Sequence, residues 1–170
     1  TSISVIGHSR GGNQTAWYAA EHLSGDDVGA VVLIAPMTWS DTRAREFYQK
    51  THGTDITPVI ARATSAPENE MLNDIPFLFY PGASATAGSY LSYHGDEYRL
   101  DTPQLLPKIE PPALVVAAEN DEIVDDLPER VEELGQDDVR LITIPGADHF
   151  FKGQFAVEAA DAVSDFLDKL

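Results

Sequence analysis

Ile3-Ser4-Val5-Ile6-Gly7-His8-Ser9-Arg10-Gly11-Gly12 is the stretch on which the reading of this chain turns. The β-branched run from Ile3 to Ile6 reads as a strand that ends in Gly7, and residues from about Asn13 to Leu23 read as a helix stopped by Ser24-Gly25. A serine therefore stands in a sharp strand-to-helix turn with a glycine two residues away on either side, the pattern G-x-S-x-G. Glycines at those places let strand and helix approach without a side-chain clash, and the start of the helix favours negative charge that develops beside the serine. The same turn would also serve as a tight closure or a phosphate cradle, so the remainder of the chain has to decide.

Outward from this turn, Ala30-Val31-Val32-Leu33-Ile34-Ala35 is continuously apolar and closed by Pro36, as expected of a parallel strand buried on both faces. Ala113 to Ala117 and Val139 to Ile144 have the same character. Asp126 to Leu134 reads as a helix closed by Gly135, and Gln154 to Leu170 as an amphipathic helix with Phe155, Ala159, Val163 and Phe166 near one face. Alternating strands and helices predict an α/β domain, a mostly parallel sheet flanked by helices.

Residues 37–111 exceed what a minimal crossover between two parallel strands requires and read as an insertion in that single 1–170 domain. Helices are expected there over Asp41 to Lys50, near Ile56 to Thr64, over Ser84 to Tyr93 and over Pro103 to Lys108, which together suggest a small helical cap. Glu110-Pro111-Pro112 is a rigid lead into the next strand. Because Thr1 opens the chain, the first Met is Met37 and a strand begins at Ile3, the sequence is read as lacking the natural N-terminus.

A serine hydroxyl attacks a carbonyl only when a base takes its proton, and that base works best when a carboxylate fixes its tautomer. Asp121 follows the strand ending at Ala117, and His149 follows the strand ending at Ile144, so both fall at the strand ends that face the same way as Ser9. The order is Ser, acid, His. Glu119, Glu122, Asp125, Asp126 and Asp148 are the rival carboxylates. His8 adjoins the serine and is expected to pack or to contact substrate, as is Trp39. His22 reads as a helix end, while His52 and His94 lie in the insertion, a distribution that does not suggest a three-histidine zinc site. No metal and no cofactor is expected.

The Ser9 turn, the segment Ala118-Glu119-Asn120-Asp121-Glu122-Ile123-Val124 and the segment Gly146-Ala147-Asp148-His149-Phe150-Phe151 together resemble the α/β-hydrolase superfamily, in its esterase and dienelactone-hydrolase-like branch. That branch often shows G-x-x-D-x-x-V around the acid, with Ala118 here in place of the glycine, and G-A-x-H-F-F around the histidine. The resemblance covers nearly the whole chain. It implies an α/β-hydrolase fold truncated at the N-terminus, with Ser9 as nucleophile, His149 as base and Asp121 as acid. It implies the Arg10 backbone N–H as one oxyanion donor, the second coming from a loop after an earlier strand that is not among these residues. With one donor missing, the rate would fall by roughly 10²–10³-fold. The activity expected is hydrolysis of a small-molecule carboxylic ester. Acyl transfer or perhydrolysis on the same three residues, or a catalytically incompetent fragment or binding module, are the alternatives.

Composition narrows the partners. Twenty-eight carboxylates against 11 Lys and Arg give a net charge of −17, which repels nucleic acid and anionic membrane surfaces. The acidic residues between Glu119 and Asp138 lack the regular spacing of a calcium loop and read as a solvated face. The apolar run Ala30 to Pro36 falls far short of the roughly 20 residues that cross a bilayer. No leader-like segment is visible, and a cytoplasmic location is the default expectation. The aromatic residues of the insertion, Trp39, Phe47, Phe77, Phe79, Tyr80, Tyr90 and Tyr93, are candidates either for its core or for a substrate pocket.

Overall fold

The computed structural model describes residues 3–24, 28–95 and 98–170. The chain packs as two compact units, Thr1–Thr38 with Tyr98–Leu170, and Trp39–Glu97.

The first unit is built on a four-stranded parallel sheet of β1 (Ser4–His8), β2 (Ala30–Ile34), β5 (Ala113–Ala118) and β6 (Val139–Ile144), in the order β1-β2-β5-β6. Strands β2 and β5 lie between two neighbours each, which is why they can be apolar at every position. All six residues of β5 are buried, as are the first four of β2. Of the outer two, β1 has only half-buried and exposed positions, and β6 buries Ile144 alone. The crossover from β1 to β2 is α1 (Arg10–His22), and α6 (Leu127–Leu134) runs between β5 and β6. Helix α7 (Gln154–Leu167) follows β6 and buries Ala159, Val163 and Phe166. Gly135 at φ 59° ends α6, a conformation that glycine adopts without strain. The expected stop at Gly25 lies outside the described residues.

Two boundaries near the serine differ from the sequence reading. β1 continues through Gly7 to His8 and α1 begins at Arg10, so Ser9 alone makes the turn. Strand β2 ends at Ile34, because Ala35 at φ 38° turns the chain out of the sheet ahead of Pro36.

Residues 98–111, which the sequence reading placed in the insertion, pack with the sheet unit instead. The expected helix at 103–108 is α5 (Thr102–Leu105) followed by a 3₁₀ turn over Leu106–Lys108, and Leu105, Leu106 and Ile109 join the core that includes β2 and β5. The stretch is anchored by an ion pair. Asp101 is completely buried, and Arg130 of α6 meets it with both terminal nitrogens, at 2.7 and 2.6 Å.

The second unit contains α2 (Asp41–His52), α3 (Thr57–Ser65), a hairpin of β3 (Met71–Phe77) and β4 (Tyr80–Thr86), and α4 (Ala87–His94). Ser40 caps α2 by accepting from the Arg43 amide at 3.2 Å, and Gly53 at φ 70° closes it. The hairpin corrects the purely helical reading of this stretch. The helix expected from Ser84 begins only at Ala87, because residues up to Thr86 pair with β3. The ladder has register shifts on both sides of Ile75, and Asp74 and Leu78 take φ of 52° and 54°. These bulges break the two-residue alternation by which a strand is recognised in sequence. Leu72, Ile75 and Ala85 of the hairpin share a core with Tyr48, Ile56, Ala63, Ala87 and Tyr90. Among the described residues, no helix is long and apolar enough to cross a membrane.

Candidate active site

Ser9 occupies a backbone conformation, φ 55° and ψ −125°, that a residue with a side chain rarely adopts. Three main-chain hydrogen bonds impose it. The Ser9 amide donates to Ile34 O at 2.9 Å, and its carbonyl accepts from the amides of Asn13 and Met37 at 3.1 and 3.2 Å. Gly7 is required by close approach, since a Cβ there would collide with Gly11 O and Thr15 Oγ1. Gly11 is not, because a Cβ on it would meet nothing within 4 Å. The second tight position is Gly12, whose Cβ would stand 3.1 Å from Gly7 O and from Pro36 Cβ.

Asp121 follows β5 and is fixed from two sides. Its Oδ1 accepts from the amides of Ile123 and Val124 at 2.8 and 3.0 Å, leaving Oδ2 for His149 Nδ1 at 2.8 Å. Burial, the largest single influence on this carboxyl, pushes its pKa up. The hydrogen bond from His149, those from Val124 and Ile123, and the charge of the histidine together outweigh burial and hold it below the ordinary carboxylate value.

His149 lies in the loop between β6 and α7 and is buried with Asp121, at 4% and 5% exposure. Its Nε2 is 2.8 Å from Ser9 Oγ. A carboxylate only accepts, so Nδ1 of the neutral ring carries the proton and Nε2 is left to accept from the serine hydroxyl. The His149 loop is joined to the Asp121 loop at two points: Glu119 Oε2 accepts from the Gly146 amide at 2.7 Å, and the Asn120 amide donates to Ala147 O at 2.9 Å.

Three of the five rival carboxylates are engaged elsewhere. Glu119 is engaged with Gly146, Asp126 Oδ1 accepts from Thr38 Oγ1 at 2.7 Å, and Asp148 Oδ1 accepts from the Phe150 amide at 3.0 Å. The sequence-expected residues Ser9, His149 and Asp121 therefore form one hydrogen-bonded chain, and Arg10, the first residue of α1, places its amide at the positive end of the helix.

Residues 1–166 match the sequence profile of the Alpha/beta hydrolase family. The chain belongs to that family.

Solved structures agree on the fold. Est1E from Butyrivibrio proteoclasticus superposes with a TM-score of 0.64 at 20% identity, over 99% of this chain and 61% of that one. The monoacylglycerol lipase of Paleococcus ferrophilus gives 0.62 at 17% identity, over 98% of this chain and 68% of that one. An esterase of Pyrococcus furiosus gives 0.55 at 16% identity, over 98% and 52%. At such identities the likeness establishes the fold alone. The chain spans 61% of the length of the first of these. No curated protein matches it in sequence.

Two residues near Ser9 in this alpha/beta hydrolase chain have jobs that local sequence does not announce. Asn13, 2% exposed, donates through Nδ2 to Arg99 O at 3.0 Å and to Thr102 Oγ1 at 3.2 Å, and Thr102 Oγ1 in turn donates to Met37 O at 2.7 Å. His8, solvent-exposed, directs Nε2 to His149 O at 2.8 Å. Trp39 lies in the second unit and is half-buried. Of the insertion aromatics, Phe77, Tyr90 and Tyr93 form a ring cluster with His94, whereas Phe79 and Tyr80 are 59% and 68% exposed. His22 packs on Trp17 and Tyr18, and His52 Nε2 donates to Leu78 O at 2.9 Å. Among the described residues, no group of three or more metal-ligating side chains is assembled.

Proposed function

We propose that this alpha/beta hydrolase chain is the catalytic portion of a serine esterase that works through an acyl-enzyme. The observation that carries the reading is the unbroken chain Asp121 Oδ2, His149 Nδ1, His149 Nε2, Ser9 Oγ, with 2.8 Å at both junctions. The His149–Ser9 distance lies within the range for proton transfer from a nucleophile to its base, and the Asp121–His149 distance within that of the hydrogen bond that orients the base.

In this mechanism Ser9 Oγ attacks the ester carbonyl carbon while its proton passes to His149 Nε2. The carbonyl oxygen becomes an oxyanion held by the Arg10 amide at the helix start. Collapse expels the alcohol, which takes the proton from His149 and leaves the acyl group on Ser9. Water then adds to the acyl carbon as His149 again accepts a proton, and the second collapse releases the carboxylic acid and returns the proton to Ser9. Asp121 keeps its charge throughout, fixing the tautomer of His149 and stabilising the imidazolium. Strain at Ser9 keeps the hydroxyl clear of the strand and helix that flank it.

Trp39–Glu97 is proposed as the cap insertion of the domain, and Trp39 as a substrate contact. The mechanism calls on no metal or cofactor. Hydrolysis of short-chain p-nitrophenyl esters by the full-length protein tests the reading. Ser9→Ala is expected to lower kcat by at least ~10³-fold and to abolish the pre-steady-state burst of alcohol, since removal of a triad member costs that much or more. A Ser9→Ala variant that retained the burst would overturn the assignment.

A further inference from the structure

We infer that His8 is a positioning residue for the base: its ring holds the main chain of His149 in place, as Asp121 holds its side chain. The inference rests on the proposed role of His149. Because a carbonyl only accepts, the 2.8 Å contact from His8 Nε2 to His149 O requires a proton on His8 Nε2. The two rings lie 5.2 Å apart, tilted by 45°, and the His8 ring meets the edge of Phe151 at 6.4 Å.

His8 is well placed for this. It ends β1, where it pairs in register with Ile34, and the amide of the next residue, Ser9, also donates to Ile34 O. The backbone that carries the nucleophile therefore also carries the donor that fixes the base. The His149 loop has need of such a tie, since it leaves ordinary backbone geometry at Gly146, φ 75°, and again at Phe151, φ 47°. Glu119 and Asn120 secure it at Gly146 and Ala147, upstream of the histidine. His8 acts at the histidine itself. With three attachments, one at the end of β1 and two in the loop that follows β5, the distance from Ser9 Oγ to His149 Nε2 is set from the ends of the sheet, and a displacement of about 1 Å at a reacting pair can cost on the order of 10²-fold in rate.

Two substitutions separate positioning from substrate contact. His8→Phe keeps a ring against Phe151 and removes the donor; His8→Gln keeps a donor of similar reach. His8→Phe is expected to lower kcat by roughly 10- to 100-fold with KM within about twofold of the parent, and His8→Gln to recover most of the loss. A second measurement needs no turnover: the strongly deshielded proton on His149 Nδ1, followed by ¹H NMR in the unliganded protein, is expected to broaden or disappear in His8→Phe and to persist in His8→Gln. If the parent protein hydrolyses no ester, the esterase reading fails while the NMR comparison still tests His8. An unchanged Nδ1 resonance in His8→Phe overturns the inference, and so does a rise in KM at constant kcat, which would make His8 a substrate contact. Should His8→Phe fail to fold, His8→Leu gives the same comparison with His8→Gln.

Discussion

At the scale of single residues, the turn around Ser9 separates glycines that are needed from one that only completes a pattern. Gly7→Ala would drive a methyl group into Gly11 O and Thr15 Oγ1, and is expected to destabilise the protein by about 3 kcal/mol or more, as overpacking against fixed backbone does. Gly11→Ala puts a methyl group into open space within a helix and is expected to be neutral or stabilising by up to ~1 kcal/mol. Thermal unfolding of the two variants compares them. Asp121 gives a pH test. Its carboxyl titrates lower in the folded protein than its ordinary value of 3.8, so its contribution to stability is full above that value and is lost as pH falls through the lowered one. The gap in melting temperature between the parent and Asp121→Asn is therefore expected to narrow from about pH 6 to about pH 3. Ser9, Asp121 and His149 were legible in sequence because each follows an apolar run that ends in a loop. The partners of His8 and Asn13 were not, because each lies 86 or more positions away in the chain and leaves no local pattern.

At the scale of elements, the two loops that carry acid and base are joined through Glu119, an exposed residue whose carboxylate accepts from the Gly146 amide. Glu119→Ala is expected to cost about 1 kcal/mol or less in stability, and hydrogen exchange at the Gly146 amide is expected to rise more than exchange in the β5 core. The ion pair that anchors residues 98–111 is of another kind. Arg130→Met removes the bidentate cation facing a carboxylate with no solvent exposure, and is expected to cost roughly 3–5 kcal/mol by denaturant unfolding. Strands β2 and β5 were readable because burial on both faces demands unbroken apolar runs. The β3–β4 hairpin was hidden by its bulges and by Pro76 within the strand, and its membership of the second unit is settled by packing of Leu72 and Ile75 that the linear pattern does not show. The 98–111 segment was misplaced for a related reason: the tie from Asp101 to Arg130 joins residues 29 apart.

At the scale of the whole molecule, charge dominates. With a net charge of −17, self-repulsion opposes compaction, and the melting temperature is expected to rise as NaCl is increased from about 10 mM to about 1 M, where the screening length falls from about 30 Å to about 3 Å. The family follows from the match over residues 1–166, whereas the chemistry proposed for Ser9 rests on the geometry of three loops at the ends of β1, β5 and β6. Peptide mapping of the full-length protein after reaction with a fluorophosphonate examines that chemistry at the atom that performs it. The adduct is expected on Ser9 and is expected to be lost when His149 is replaced by Ala. A protein that hydrolyses esters while its adduct maps to another residue, or while Ser9 stays unmodified, would contradict the assignment.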